Sequence, residues 1–207
     1  MRLIGMLDSP YVRRVAISLE FLGVVFEHEA VSVFSTFEKF QSINPVVKAP
    51  TLVCDDGEVL MDSSLILQFI ESTKTNGDSL WSKNPRILQN EMRVVGLALA
   101  ACEKSVHIVY ERNLRPSSAQ HEPWLARLKG QLLAAYESLE REVQNHKATL
   151  MEPRNQASIT VAVIWQFTQS MLAAIVPAEN YPGLIALSAR MESTPQFLKY
   201  PPVGPGV

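Results

Sequence analysis

The sequence predicts a small α/β domain over residues 1–74 followed by an all-helical domain over 82–207. Three observations carry this division. Strand-like and helix-like patterns alternate through the first part of the chain. Strand signals then cease after Asn76-Gly77-Asp78, and from Pro85 one apolar face is sustained for many turns. With 207 residues, 47% of them hydrophobic and 19% charged, the chain can bury a sizeable core and is unlike a disordered segment.

In the first half, Arg2–Met6 reads as a strand and Tyr11–Leu22 as a helix, with Val12, Val15, Ile17, Leu19 and Leu22 apolar and Gly23 as its stop. Val24–Val31 reads as extended. Phe34, Phe37, Phe40 and Ile43, three apart, suit a short helix. Thr51–Cys54 and Glu58–Met61 flank Asp55-Asp56-Gly57, a hairpin signal. Asp62–Ser72 then reads as a helix with Leu65, Ile66, Phe69 and Ile70 facing inward. The order is βαβ followed by αββα.

The second half opens with a long helix from Pro85 whose predicted core face is Leu88, Met92, Val95, Leu99, Cys102, Val106 and Val109. Arg115-Pro116-Ser117-Ser118 breaks it. A second helix carries Trp124, Leu128, Leu132, Ala135, Leu139 and Val143. Residues 155–178 contain no charged side chain, long enough on that ground to cross a membrane, but Gln156, Gln166, Gln169 and several hydroxyls interrupt the run, so a central buried helix is expected. A shorter helix follows Tyr181-Pro182-Gly183 to Met191, and the tail from Tyr200 reads as irregular.

A net charge of −2 supplies no basic field for nucleic acid. Cys54 and Cys102 are the only cysteines and form no CxxC pair, which suits a reduced, cytoplasmic setting. Asp8 and Arg13-Arg14 interrupt any secretory signal. No grouping of Cys, His, Asp and Glu has metal-ligand spacing, so no metal is expected.

Three short motifs could carry chemistry. Ser9-Pro10-Tyr11-Val12 lies where a strand turns into a helix, so Ser9 reads as an N-cap with Pro10 at the first helical position. In the same place its hydroxyl could donate to a thiolate beside the partial positive charge of the helix start, lowering the thiol's pKa. Ala49-Pro50 precedes a strand. Were that bond cis, the Ala49 backbone would face outward to pair with an extended peptide. Asp62-Ser63-Ser64 opens another helix and offers a carboxylate for an amine beside a hydroxyl and amides for a carboxylate.

In this order, the motifs resemble the glutathione transferase family over nearly the whole chain. Ser9-Pro10-Tyr11-Val12-Arg13-Arg14-Val15 is similar to the serine-type bacterial, theta-like and zeta-like members, and occupies the place of Cys-Pro-Tyr-Cys in thioredoxins; Ser9 and Val12 there exclude a dithiol mechanism. Asn44-Pro45-Val46-Val47-Lys48-Ala49-Pro50-Thr51-Leu52 is similar to N-P-x-x-K-V-P-x-L, and Leu60-Met61-Asp62-Ser63-Ser64-Leu65-Ile66 to L-x-E-S-x-A-I. The resemblance implies a thioredoxin-like glutathione-binding domain and a helical domain, with a cis Pro50. It implies Ser9 as the catalytic residue and Lys48, Ala49, Pro50, Asp62 and Ser63 as the glutathione site. It further implies a homodimer and a second-substrate pocket between the domains, for which Tyr11, His107, Tyr110 and Arg112 are candidates. The expected activity is conjugation of glutathione to small apolar electrophiles. A glutathione-dependent peroxidase and a non-enzymatic interaction module of the same fold are the alternatives.

Two departures stand out. The family's S/T-x-x-D capping box appears as Ser158-Ile159-Thr160-Val161, which keeps the expected cap and loses the acid. The zeta-like double serine followed by cysteine is absent, so maleylacetoacetate isomerisation is not expected. Arg13 and Arg14 read as solvated or ion-paired helix charges, and Trp165 as core.

Overall fold

Leu3 and Ile4 are wholly buried, and the strand that carries them, β1 (Arg2–Ile4), occupies an inner position in a mixed four-stranded sheet. The computed structural model describes residues 1–73 and 79–205, so the expected Asn76-Gly77-Asp78 turn lies outside the described residues. The sheet order is β2-β1-β3-β4, with β2 at Glu27–Glu29, β3 at Thr51–Val53 and β4 at Val59–Met61. β1 pairs parallel with β2 and antiparallel with β3, and β3–β4 form the expected hairpin.

Three helices accompany these strands: α1 (Pro10–Phe21), α2 (Phe37–Ile43) and α3 (Ser63–Thr73). Phe40 of α2 joins Ile4 and Val31 in a buried cluster, against which Val47, Ala49 and Val53 pack. α1 packs against α3. The β2 prediction was too long, because Val25 is 89% exposed and strand pairing involves only Glu27–Glu29. The spacing-three phenylalanines overstate α2: Phe34 and Phe37 are exposed and only Phe40 is buried. On α3 the inward set is Ile66, Leu67 and Ile70, while Leu65 and Phe69 face out.

The chain divides into two units, one of Met1–Leu80 and the other of Trp81–Thr194, and residues 195–205 rejoin the first. Assigning the whole C-terminal segment to the helical half is therefore corrected. α9 (Pro195–Lys199) packs on α1, with Phe197 buried, and Tyr200 stacks on Phe26 at 5.7 Å between ring centroids.

The second unit consists of α4 (Pro85–Asn113), α5 (Glu122–Asn145), the single-turn α6 (Lys147–Leu150), α7 (Gln156–Leu172) and α8 (Pro182–Glu192). α4 packs on α5 and α7, and α7 on α8. The buried stripe of α4 runs through Val94, Val95, Ala98, Ala101, Cys102, Ser105, Ile108 and Val109, so it is rotated from the predicted one and leaves Met92 exposed. Small residues in that stripe admit close approach of neighbouring helices. α7 is buried continuously from Gln156 through Trp165. Thr168 finds partners inside the unit: Tyr136 donates to it at 2.6 Å, and the Ser105 and Thr168 hydroxyls lie 3.0 Å apart. Among the described residues, no helix is long and apolar enough to cross a membrane.

The cap of α7 also differs from expectation. Asn155, three residues before Ser158, is the N-cap, and its Oδ1 accepts from the Ala157 and Ser158 backbone amides. Ser158 instead donates to the Leu150 carbonyl at 2.7 Å. The Asn155 amide donates in turn to buried Glu91, which also accepts from the Ser82 amide.

Candidate functional site

Ser9 sits at the end of the loop from β1, with extended backbone (φ −71°, ψ 119°), as the N-cap residue of α1. Its carbonyl accepts the first helical bond, from Arg13 at 3.0 Å. Its side chain makes no capping hydrogen bond, which leaves the half-buried hydroxyl uncommitted to its own helix. Pro10 fills the first helical position without a donor to satisfy.

The loop before β3 is held rigidly. Asn44 is buried; its Oδ1 accepts from the Val46 amide and its amide donates to Thr51 Oγ1 at 2.9 Å. Thr51 Oγ1 donates onward to the Lys48 carbonyl at 2.7 Å. Within this frame the Ala49-Pro50 peptide is cis, and Val47 takes φ 51°, a left-handed conformation unusual for a β-branched residue. Pro50 is buried, Ala49 half-buried and Lys48 exposed.

At the start of α3, Asp62 also has a left-handed backbone (φ 74°), and its Oδ1 caps the helix by accepting from the Ser64 amide at 2.9 Å. Asp62 Oδ2 lies 3.5 Å from Lys48 Nζ. Ser63 is buried, and both its hydroxyl and that of Ser64 accept from Arg14 Nη1, at 3.0 and 3.1 Å.

These contacts join the three motifs within one unit. Gly5, with φ +140°, lets the β1–α1 loop approach both α1 and the cis loop: a Cβ there would lie 2.5 Å from Val12 Cγ2 and 3.3 Å from Ala49 Cβ. Lys48 links the cis loop to Asp62, and Arg14 links α1 to Ser63. The two helix starts, of α1 and α3, carry partial positive charge. Such a frame can bind an extended anionic peptide and stabilise a thiolate near Ser9.

Of the solvated and ion-paired readings of Arg13 and Arg14, the solvated one is corrected. The two residues are 1% and 2% exposed. Arg13 donates to the Tyr200 carbonyl at 2.8 Å and lies over the Phe197 ring at 5.2 Å, so the C-terminal segment and not water receives it. Sequence reasoning missed both roles because their partners are far along the chain. It also missed Asn44 as the brace of the cis loop. The one signal for Asn44 was its place before Pro45, where a side chain often organises a turn.

The remaining expected site residues are differently placed. Tyr11 is half-buried in the first turn of α1. His107, Tyr110 and Arg112 belong to α4 in the second unit, and all three are exposed. His107 and Tyr110, three apart, share a helix face, whereas Arg112 is turned roughly 200° from Tyr110. Trp165 is buried between Tyr136 and Tyr181, as core.

Comparison with known proteins bears on the family and the fold. A sequence model of the glutathione S-transferase N-terminal domain matches residues 3–77. The uncharacterized GST-like protein YibF of Escherichia coli (strain K12) is 25% identical over 203 residues, covering 98% of each chain. Among solved structures, a glutathione transferase family member from Pseudomonas fluorescens Pf-5 with bound glutathione aligns with TM-score 0.84 and 26% identity over 98% of this chain and 99% of that one. A glutathione S-transferase from Methylobacterium radiotolerans, in complex with glutathione sulfonate, shares the fold at TM-score 0.86 and 24% identity, covering 100% and 96% of the two chains. The first part of the chain thus matches the glutathione S-transferase N-terminal domain, and the chain as a whole is similar in sequence and fold to glutathione transferase family members.

Proposed function

We propose that this protein is a glutathione transferase of the serine type, in which Ser9 stabilises the glutathione thiolate for attack on small apolar electrophiles. The observation that carries the reading is the Ser9 hydroxyl: it stands at the start of α1 and does not cap it. A serine retained only as a cap would spend its oxygen on the helix amides. Here the hydroxyl is available to donate.

Glutathione would lie extended, its cysteinyl backbone pairing with Ala49 beside Pro50. Its γ-glutamyl amine would meet Asp62 and its α-carboxylate the Ser63 hydroxyl and α3 amides. Ser9 donates to the sulfur, and with the α1 N-terminus favours the anion, so the thiol proton passes to solvent near neutral pH. The thiolate attacks the electrophilic carbon, forming the S–C bond, while a leaving group departs with the electron pair of the bond that breaks. Orientation and anion stabilisation supply the acceleration. Tyr11, His107, Tyr110 and Arg112 are the proposed second-substrate residues. A homodimer working in the cytoplasm on detoxification completes the proposal.

The test is the ultraviolet thiolate absorbance of bound glutathione titrated over pH. The wild type is expected to hold the thiol pKa well below that of the free tripeptide, and Ser9→Ala to restore it with a much larger loss of turnover than of affinity. Glutathione bound with an unshifted pKa would demote Ser9 to a helix-start residue. Failure to bind would remove the enzymatic reading.

A further inference from the structure

Arg14 is a guanidinium with 2% exposure, on a helix whose other buried positions are mostly apolar. Burying such a charge is costly unless hydrogen bonds compensate it. One of its nitrogens, Nη1, is shared between two hydroxyls, Ser63 Oγ at 3.0 Å and Ser64 Oγ at 3.1 Å, both in the first turn of α3. Arginine has no acceptor, so in each contact the hydroxyl oxygen accepts. The consequence for Ser63 is directional. With a lone pair fixed on Arg14, its own O–H must point elsewhere, and donation through it is strengthened by polarisation.

We propose that Arg14 is a positioning residue for the α-carboxylate of glutathione, acting through Ser63. It turns the Ser63 proton toward the bound carboxylate and places a positive charge behind the α3 N-terminus, where a helix already favours an anion. Asp62, capping the same helix and paired with Lys48, is left to receive the amine. This inference rests on the glutathione-binding reading above. It adds a residue that touches no ligand atom and an electrostatic reason for a buried charge under the site.

The experiment compares two thiol tripeptides on wild type and Arg14→Gln by calorimetry: glutathione, and 4-aminobutyryl-cysteinyl-glycine, which lacks only the α-carboxylate. Arg14→Gln is expected to weaken glutathione about tenfold, the loss of one charge-assisted contact, and to leave the affinity of the decarboxylated tripeptide unchanged. A purely structural arginine would weaken both alike, and that result overturns the proposal, as does loss of neither. If Arg14→Gln does not fold, Arg14→Lys keeps the charge and loses the shared contact to two hydroxyls. It is expected to show the same selectivity in smaller measure, and equal effects on both tripeptides would again overturn the role. A wild type that binds neither tripeptide would instead defeat the glutathione reading itself, and Arg14's role with it.

Discussion

Gly5 shows how a residue without a side chain can set a site. Its φ of +140° and the 2.5 Å that would separate an added Cβ from Val12 Cγ2 make it irreplaceable on two counts. Gly5→Ala is expected to cost about 2–6 kcal/mol, adding about 1–3 for the strained backbone to about 1–3 for overpacking. Gly23 also has positive φ, but a Cβ there meets nothing within 4 Å, so Gly23→Ala should cost only about 1–2 kcal/mol. Urea midpoints of the two variants would check the ranking, and equal losses would show that backbone conformation alone matters at Gly5. At Asp62 the left-handed backbone and the Oδ1 cap can both be kept by asparagine. Asp62→Asn is therefore expected to leave the urea midpoint nearly unchanged while weakening glutathione binding, because the charge offered to the amine is lost and the exposed pair with Lys48 that goes with it contributes little to stability. A midpoint that falls as far as the affinity would assign Asp62 to the fold alone. The motif around Asp62 was legible in the sequence because local spacing defines it. Arg14 was not, since its partners Ser63 and Ser64 lie about fifty residues away, and an arginine defaults to a solvated reading.

At the level of elements, the helices were legible wherever one face stays apolar over several turns, as α5 does through Leu128, Leu132, Ala135, Leu139 and Val143. Strand ends and helix caps were less so, because pairing partners and capping side chains decide them. The start of α7 is the clearest case, with Asn155 in the role expected of Ser158. Asn155→Ala removes the cap, about 1 kcal/mol, and takes a donor from buried Glu91, a further loss of about 1–3 kcal/mol. Ser158→Ala loses one hydrogen bond to Leu150, about 1 kcal/mol. Thermal unfolding should therefore rank Asn155→Ala as the more damaging; the reverse order would return the cap to Ser158. Between α5 and α7, burial holds the Tyr136 phenol far above its ordinary value despite the hydrogen bond to Thr168. The folded state thus keeps this proton after the unfolded chain has lost it. The stability it lends is fully present below about pH 10, the unfolded tyrosine value, and declines as pH rises further. Tyr136→Phe should lower stability at pH 7 by about 1 kcal/mol and flatten the alkaline decline. An alkaline limb as steep as that of wild type would show that other groups govern it.

For the whole molecule, the return of the C-terminal segment to the first unit is the feature that sequence order hides. Tyr200 and Arg13 are 187 positions apart yet share a hydrogen bond, and a tail rich in proline and glycine reads as irregular whatever it touches. The docking is specific. Lys199 and Tyr200 both reach Glu20 on α1, at 2.8 and 3.1 Å, and Gly204 runs so close to Asp8 that a Cβ there would overlap its carboxylate. The last described turns of the chain thereby brace the helix that Ser9 begins and the loop before it. Phe197, 1% exposed beneath the Arg13 guanidinium, is the anchor. Replacing it with alanine should cost about 3–5 kcal/mol, since the lost ring leaves a cavity and removes the stacked partner of a buried charge. Hydrogen exchange can show where that energy acts. Amides of α1 are expected to lose protection first, while those of α5 and α7, in the other unit, keep theirs until global unfolding. Loss confined to α5 and α7 would mean that the segment belongs energetically to the helical unit. Loss in α1 accompanied by a weaker thiol pKa shift would connect the docked tail to the chemistry at Ser9.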